Sequence, residues 1–231
     1  MAQQSDNVKC GVQEPQKIQE EAKCEKKRRD FIVVAGLLLA YVFYMVSVHL
    51  PIDRHVIHVS LDDQIPFCEV FVLAYIWWYG FISGPLVWFF MKSREDFLYM
   101  GIYLLSGIWI CSVIFMVYPT CIDFQPDTFP RDNILITLTK LLYHADNPAN
   151  VLPSIHCFES VAVCIAIWKS KRWGHCVKPR IVALASAVLI CLSTVFIKQH
   201  SVVDIAAGVL LAVILYFPIY KINWPFRKRF E

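Results

Sequence analysis

Three residues stand out for the chemistry they would support together: His156, His200 and Asp204. His200 and Asp204 lie at i and i+4, so a helix places them on one face, one turn apart. An aspartate in that position accepts a hydrogen bond from one ring nitrogen. The tautomer is then fixed, and the other nitrogen keeps its lone pair, as a nucleophilic or basic histidine requires. Taken alone, the pair reads equally as a structural or proton-relay contact at a membrane helix end. His156 supplies a second imidazole. Ser154, two residues earlier, marks a helix start whose backbone N–H groups attract anions. Lys198, two residues before His200, adds a cation. Two histidines, a carboxylate and an anion cradle suit phosphoryl transfer through a covalent phosphohistidine. His200 would attack phosphorus and His156 would protonate the leaving alkoxide. This chemistry requires no metal and no cofactor.

The elements around these residues must bring His156 and His200 together. Between them lie an apolar run, the basic turn Lys169 to Arg180, and a second apolar run. Each run is about one membrane crossing long. An out-and-back hairpin returns the chain to the face it left, so both histidines are expected at one membrane surface. The expected crossings are Phe31–His49, Phe67–Met91, Phe97–Val117, Ser154–Trp168, Ile181–Ile197 and Ser201–Tyr220. The loop Tyr118–Asn150 includes an amphipathic stretch, Asn133–Tyr143, suited to the interface.

The composition agrees with a bilayer setting. The chain has 231 residues, 57% hydrophobic and 18% charged, with charges clustered between apolar runs. The fold class is therefore all-α: a polytopic membrane protein, a six-transmembrane helix bundle. It divides into a polar cytoplasmic tail (1–30), the membrane domain (31–220) and a basic cytoplasmic tail (221–231). With the N-terminus inside, 18 Lys and Arg fall on the inner side and four, Arg54, Arg131, Lys140 and Lys198, on the outer. The positive-inside rule then puts both termini in the cytoplasm and the histidines outside, with the cell membrane the expected location. The basic clusters at membrane edges follow from topology, so no nucleic-acid partner is implied. Nine cysteines without a Cys-x-x-Cys pair argue against a metal site. Cys68 and Cys121 form the one candidate outer-face pair.

Pro153-Ser154-Ile155-His156 resembles the Pro-Ser-Gly-His block of the type 2 phosphatidic acid phosphatase superfamily. Ser193 with His200 and Asp204 resembles its Ser-Arg-x5-His-x3-Asp block at the same spacing. The segments Asp63-Gln64-Ile65-Pro66-Phe67, Tyr118 to Asn133 and Asn150 to Ser154 are similar to a bacterial branch related to inositol phosphorylceramide synthases. The resemblance covers about Asp53 to Gly208. It implies a six-helix phosphatase in which His200 is the nucleophile, Asp204 its partner and His156 the acid. The implied partners are membrane lipids and a lipid phosphate substrate, such as phosphatidic acid, phosphatidylglycerol phosphate or a prenyl pyrophosphate. The chain departs from the pattern at Ile155, at Thr194 where the family has Arg, and at Gln125 before Pro126, where the family's first block has Arg. Loss of two phosphate-clamping arginines is costly. Lys198 and Arg131 are the cations available to compensate, with Ser154 and Gln125 completing the expected substrate-binding set.

Two alternatives belong to other classes. A degenerate relative would bind lipid phosphate without turnover. A bis-histidine haem carrier would also need two facing histidines, but it gives no role to Pro-Ser-x-His or His-x3-Asp. His49, His55, His58, His144 and His175 read as loop or interface residues. Glu159, one turn below His156, faces either the site or a packed, hydrogen-bonded interior.

Overall fold

The structure is a computed structural model that describes residues 13–49, 52–129, 131–146 and 148–222. The first twelve residues of the expected tail, most of the basic C-terminal tail, and loop positions Pro51 and Pro130 lie outside the described residues.

Helix α1 (Gln13–His49) runs unbroken across the expected boundary at residue 30. A two-residue strand β1 (His55–Val56) and a short helix α2 (Ser60–Gln64) follow. Next come α3 (Val72–Lys92), entered through a 3-10 turn at Glu69–Phe71, and α4 (Arg94–Val117). Strand β2 (Thr120–Cys121) pairs in parallel with β1, His55 opposite Thr120 and Val56 opposite Cys121. Helix α5 (Ile134–Ala145) starts at Asn133, whose side chain accepts from the Ile136 N–H at 3.0 Å. The last helices are α6 (Ile155–Lys169), α7 (Val177–Phe196) and α8 (Val202–Tyr216), the last extended by a π turn at Phe217–Lys221.

Five described helical stretches are long and apolar enough to cross a membrane: 30–48, 69–92, 94–117, 177–196 and 202–221. α6 is shorter, with 15 residues and hence about 22 Å of rise. It is also the most enclosed helix, packed against α3, α4, α7 and α8. Its Phe158, Val163 and Ile167 join Met100, Leu104 and Ile190 in the main core. Many large apolar side chains on α1, α3, α7 and α8 point outward instead, among them Leu38, Trp77, Leu184 and Leu210. An apolar exterior around a packed interior is what a lipid solvent permits.

Two glycines set the helix spacing. A Cβ at Gly107 of α4 would lie 1.9 Å from the Phe158 ring. A Cβ at Gly208 of α8 would lie 2.6 Å from the Ser154 carbonyl oxygen, so only glycine lets α8 reach the first turn of α6 this closely.

The two ends of the bundle differ. One end gathers the turns near residues 30, 92–96 and 169–176. There Arg94 pairs with Asp30, Lys171 with Glu95 at 2.8 Å, and Asp96 accepts from Ser93 and Ser170 at 2.6 and 2.8 Å. The other end carries β1, α2, β2, α5 and both histidines. Its loops are tied by Thr120, whose hydroxyl oxygen accepts the Val151 and Leu152 N–H groups at 3.1 Å each. His58 bridges Asp63 and Asp123 at 2.9 Å each. Cys68 and Cys121 are free thiols here. Cys68 is drawn instead onto the end of α7 by its N–H, which donates to Phe196 O at 2.9 Å.

Candidate active site

The first turn of α6 and the segment between α7 and α8 meet at the loop-rich end. Ser154 caps α6 by accepting the Cys157 N–H at 3.3 Å, and Ser201 caps α8 by accepting the Val203 N–H at 3.2 Å. The two starts are joined directly: the Ser154 N–H donates to the Asp204 carbonyl oxygen at 3.1 Å. This junction brings His156 Nδ1 to 3.4 Å from His200 Nε2. The other nitrogen of His200, Nδ1, stands 3.4 Å from Asp204 Oδ2. The same Asp204 oxygen accepts the Ser201 N–H at 2.8 Å, closing a capping box that holds the carboxylate still. Asp204 is fully buried. Burial works against a charge on His200. The hydrogen bond and charge of Asp204, with Asp146 nearby, outweigh it, and the imidazole titrates above the ordinary histidine value.

His156 has its own surroundings, none of which the sequence reading named. Its Nε2 stands 3.6 Å from Asp146 Oδ2, and its Nδ1 is 3.5 Å from the Tyr75 hydroxyl. Tyr75 donates in turn to Asp146. The rings of Tyr75 and Trp78 flank the imidazole at 4.5 and 4.4 Å between centroids. Asp146 lies at the C-terminal end of α5, ten residues before His156, and Tyr75 lies on α3. No local spacing links these residues; only the packing of α3, α5 and α6 does.

A further residue missed in the sequence, Asp62, fixes the His200 segment. Its carboxylate accepts the Ser201 hydroxyl at 2.7 Å, the Val202 N–H at 2.9 Å and the Val59 N–H at 3.0 Å. Its only sequence signal was the pair Asp62-Asp63 in a loop.

The expected substrate-binding residues divide. Gln125 reaches the site's edge, donating to Gln199 at 3.0 Å, and Gln199 lines the cavity beside the histidines. Ser154 sits at the junction, fully buried, with its hydroxyl used as a helix cap. Lys198 and Arg131, expected in the phosphate cradle, are engaged elsewhere. Lys198 adopts a left-handed backbone conformation, φ 56°. Its ammonium donates to the Asp62 and Ile65 carbonyl oxygens at 2.6 and 2.5 Å. Burial pushes its pKa down, against the raising effect of Asp62 and Asp63. Arg131 is exposed and donates to Glu69 at 2.9 Å, where Asn133 also donates at 3.2 Å. Thr194, in place of the family's Arg, is buried and donates to Cys191 O at 2.8 Å.

His156 and His200 open onto a cavity of about 220 Å³ that extends between α1, α3, α4 and α6. Glu159 lines it, so of the two orientations open to this residue the structure takes the one facing the site. In chemical terms, the arrangement offers one imidazole backed by a carboxylate, its other nitrogen facing His156. A second imidazole backed by another carboxylate lies beside it, at the mouth of an apolar cavity.

No curated protein and no solved structure matches the chain. Residues 44–217 match the PAP2 superfamily, a span that runs from α1 to the end of α8 and takes in both histidine blocks. The match covers well over half of the sequence, so the chain belongs to the PAP2 superfamily, which generally comprises phosphatases.

Proposed function

We propose that this protein is an integral-membrane phosphatase or phosphotransferase acting on a lipid phosphate through a phosphohistidine at His200. The observation that carries this reading is the chain Asp204–His200–His156, with its 3.4 Å contacts at the mouth of an apolar cavity. Asp204 holds the Nδ1–H tautomer of His200, leaving Nε2 to attack phosphorus. His156, oriented by Asp146 and Tyr75, donates a proton to the departing alkoxide, then takes one from the water or acceptor hydroxyl that attacks the phosphohistidine. Backbone N–H groups at the start of α6, with Ser154 as its cap, favour the phosphoryl oxygens. Gln125 steadies Gln199 at the cavity wall.

The membrane placement belongs to the same proposal. α6 counts as a sixth, short crossing held inside the bundle, within a membrane domain of about residues 31–220. Both termini are cytoplasmic and the histidines open outward, at headgroup level, so that the lipid's tail stays in the bilayer. The 18-to-4 division of Lys and Arg supports this sidedness. The loop segments quoted above support the branch related to inositol phosphorylceramide synthases.

A second reading, binding without turnover, is favoured by one observation: Lys198 and Arg131 are engaged away from the histidines. The two readings separate in one assay. Purified protein is given a panel of lipid phosphates in EDTA, beside His200→Ala. Release that survives EDTA and vanishes in the variant supports catalysis. Binding with no release from any substrate or to any acceptor supports the degenerate reading.

A further inference from the structure

The cavity beneath the histidines has a charge pattern that a phosphate dianion does not fit. Among the described residues, no Lys or Arg lines it, while Asp146 and Glu159 do. Glu159 is 6% exposed, and among the described residues its carboxyl has no hydrogen-bond or ion-pair partner. A buried carboxylate without a partner is costly, so such a group keeps its proton until a ligand cation completes it. Among the described residues, two other buried polar atoms of the lining lack a partner: Asn150 Oδ1 and Trp78 Nε1. Around them stand the rings of Tyr44, Trp78 and Tyr79. Aromatic rings and an unpaired carboxyl lining one cavity are surroundings that suit an ammonium group.

Spacing joins this pocket to the reactive histidines. Glu159 follows His156 by three residues on α6, about 4.5 Å along the axis. That is close to the reach of a two-carbon linker between phosphorus and nitrogen. We infer that the cavity selects a zwitterionic phosphodiester lipid, whose cationic amine sits against Glu159 and the aromatic rings while its phosphorus faces His200. Such a headgroup carries its own positive charge, which replaces the missing arginines. The inference rests on the phosphotransfer reading for its chemistry, but its test does not. In the reaction, His200 Nε2 bonds to phosphorus and the phosphorus–oxygen bond to the lipid alkoxide breaks. His156 gives that alkoxide its proton. An acceptor hydroxyl then attacks the amine-bearing phosphohistidine and passes its proton to His156. The electron pair of the phosphorus–nitrogen bond returns to Nε2.

The test reads binding rather than turnover. Wild-type protein in detergent is heated with glycerophosphocholine, glycerophosphoethanolamine or glycerol 3-phosphate, and the unfolding midpoint is followed. The zwitterionic probes are expected to raise it at concentrations where glycerol 3-phosphate does not. Glu159→Gln is expected to abolish the difference and Tyr44→Leu to reduce it. Equal or greater stabilisation by glycerol 3-phosphate, no shift with any probe, or an undiminished preference in both variants would overturn the proposal. A parallel assay with short-chain zwitterionic and anionic lipids reads product. Absence of product from all of them, with the binding preference intact, would count against the phosphotransfer reading alone.

Discussion

His156 Nδ1 and His200 Nε2 stand 3.4 Å apart across 44 residues of intervening chain. Three contacts produce this proximity. Gly208 lets α8 close on the first turn of α6, the Ser154 N–H binds the Asp204 carbonyl, and Asp62 ties down the segment that bears His200. Each contact can be removed separately.

The electrostatics of His200 set the pH profile. As nucleophile it must be neutral, and its pKa is raised in spite of burial because Asp204 stabilises the imidazolium. Activity therefore rises with pH, and the acidic limb of kcat/KM lies above the ordinary histidine value of about 6.5. Asp204→Asn removes the main raising influence, so the limb moves to lower pH while kcat falls. A limb unmoved by Asp204→Asn would assign it to another group.

Asp62 makes no contact with either histidine, yet it positions one. Asp62→Ala leaves the Ser201 hydroxyl and the Val59 and Val202 N–H groups without their acceptor. The expected cost is about 1–3 kcal/mol in thermal unfolding, with loss of turnover as the 197–201 segment loosens. Asp62→Asn retains an acceptor oxygen and is expected to recover part of both. Full activity in Asp62→Ala would show that the segment holds itself.

Gly208→Ala tests the helix approach. Its Cβ would meet the Ser154 carbonyl oxygen at 2.6 Å, a backbone atom that cannot swing away. Overpacking of this kind costs roughly 1–3 kcal/mol, and here it separates the histidines as well. Gly84→Ala on α3 is the control: nothing lies within 4 Å of its Cβ. It should leave activity unchanged and gain about 0.5–1 kcal/mol from helix propensity.

Lys198 and Arg131 should behave as structural residues. Lys198→Met deprives two carbonyl oxygens of their donor and is expected to cost about 1–3 kcal/mol of stability. Arg131→Gln breaks an exposed pair with Glu69, and its effect is expected to stay within about 1 kcal/mol. Neither should raise KM for a phosphate substrate by more than a factor of about 2, against the tenfold or larger loss that follows removal of a direct charged phosphate contact, on the order of 1.5–3 kcal/mol. A tenfold rise in either variant would restore that residue to the substrate cradle.

What could be read from the sequence was what depends on local spacing. The i, i+4 pair His200–Asp204 and the Ser154 cap of α6 follow from helix geometry. The apolar runs marked the long helices to within a few residues, except that α1 begins at Gln13 and α7 at Val177, ahead of their apolar cores. Long-range packing was not legible. Tyr75 meets Asp146 across 71 residues, and Asp62 meets Ser201 across 139. Nor was direction: Lys198 lies two residues from His200, yet its ammonium is held by the carbonyl oxygens of Asp62 and Ile65, 136 and 133 residues away in sequence.

The central claim is that His200 carries the phosphoryl group. The most direct measurement is rapid acid-free quench of the protein with labelled lipid phosphates and zwitterionic phosphodiester lipids in EDTA, followed by a test of the trapped label's stability. An acid-labile, base-stable label is expected on wild-type protein and is expected to be absent from His200→Ala. His156→Ala is expected to slow both formation and breakdown of the label, each by roughly 10²- to 10⁴-fold, because His156 serves as acid in the first step and base in the second. Turnover with no such label, or a label that persists in His200→Ala, would contradict the claim.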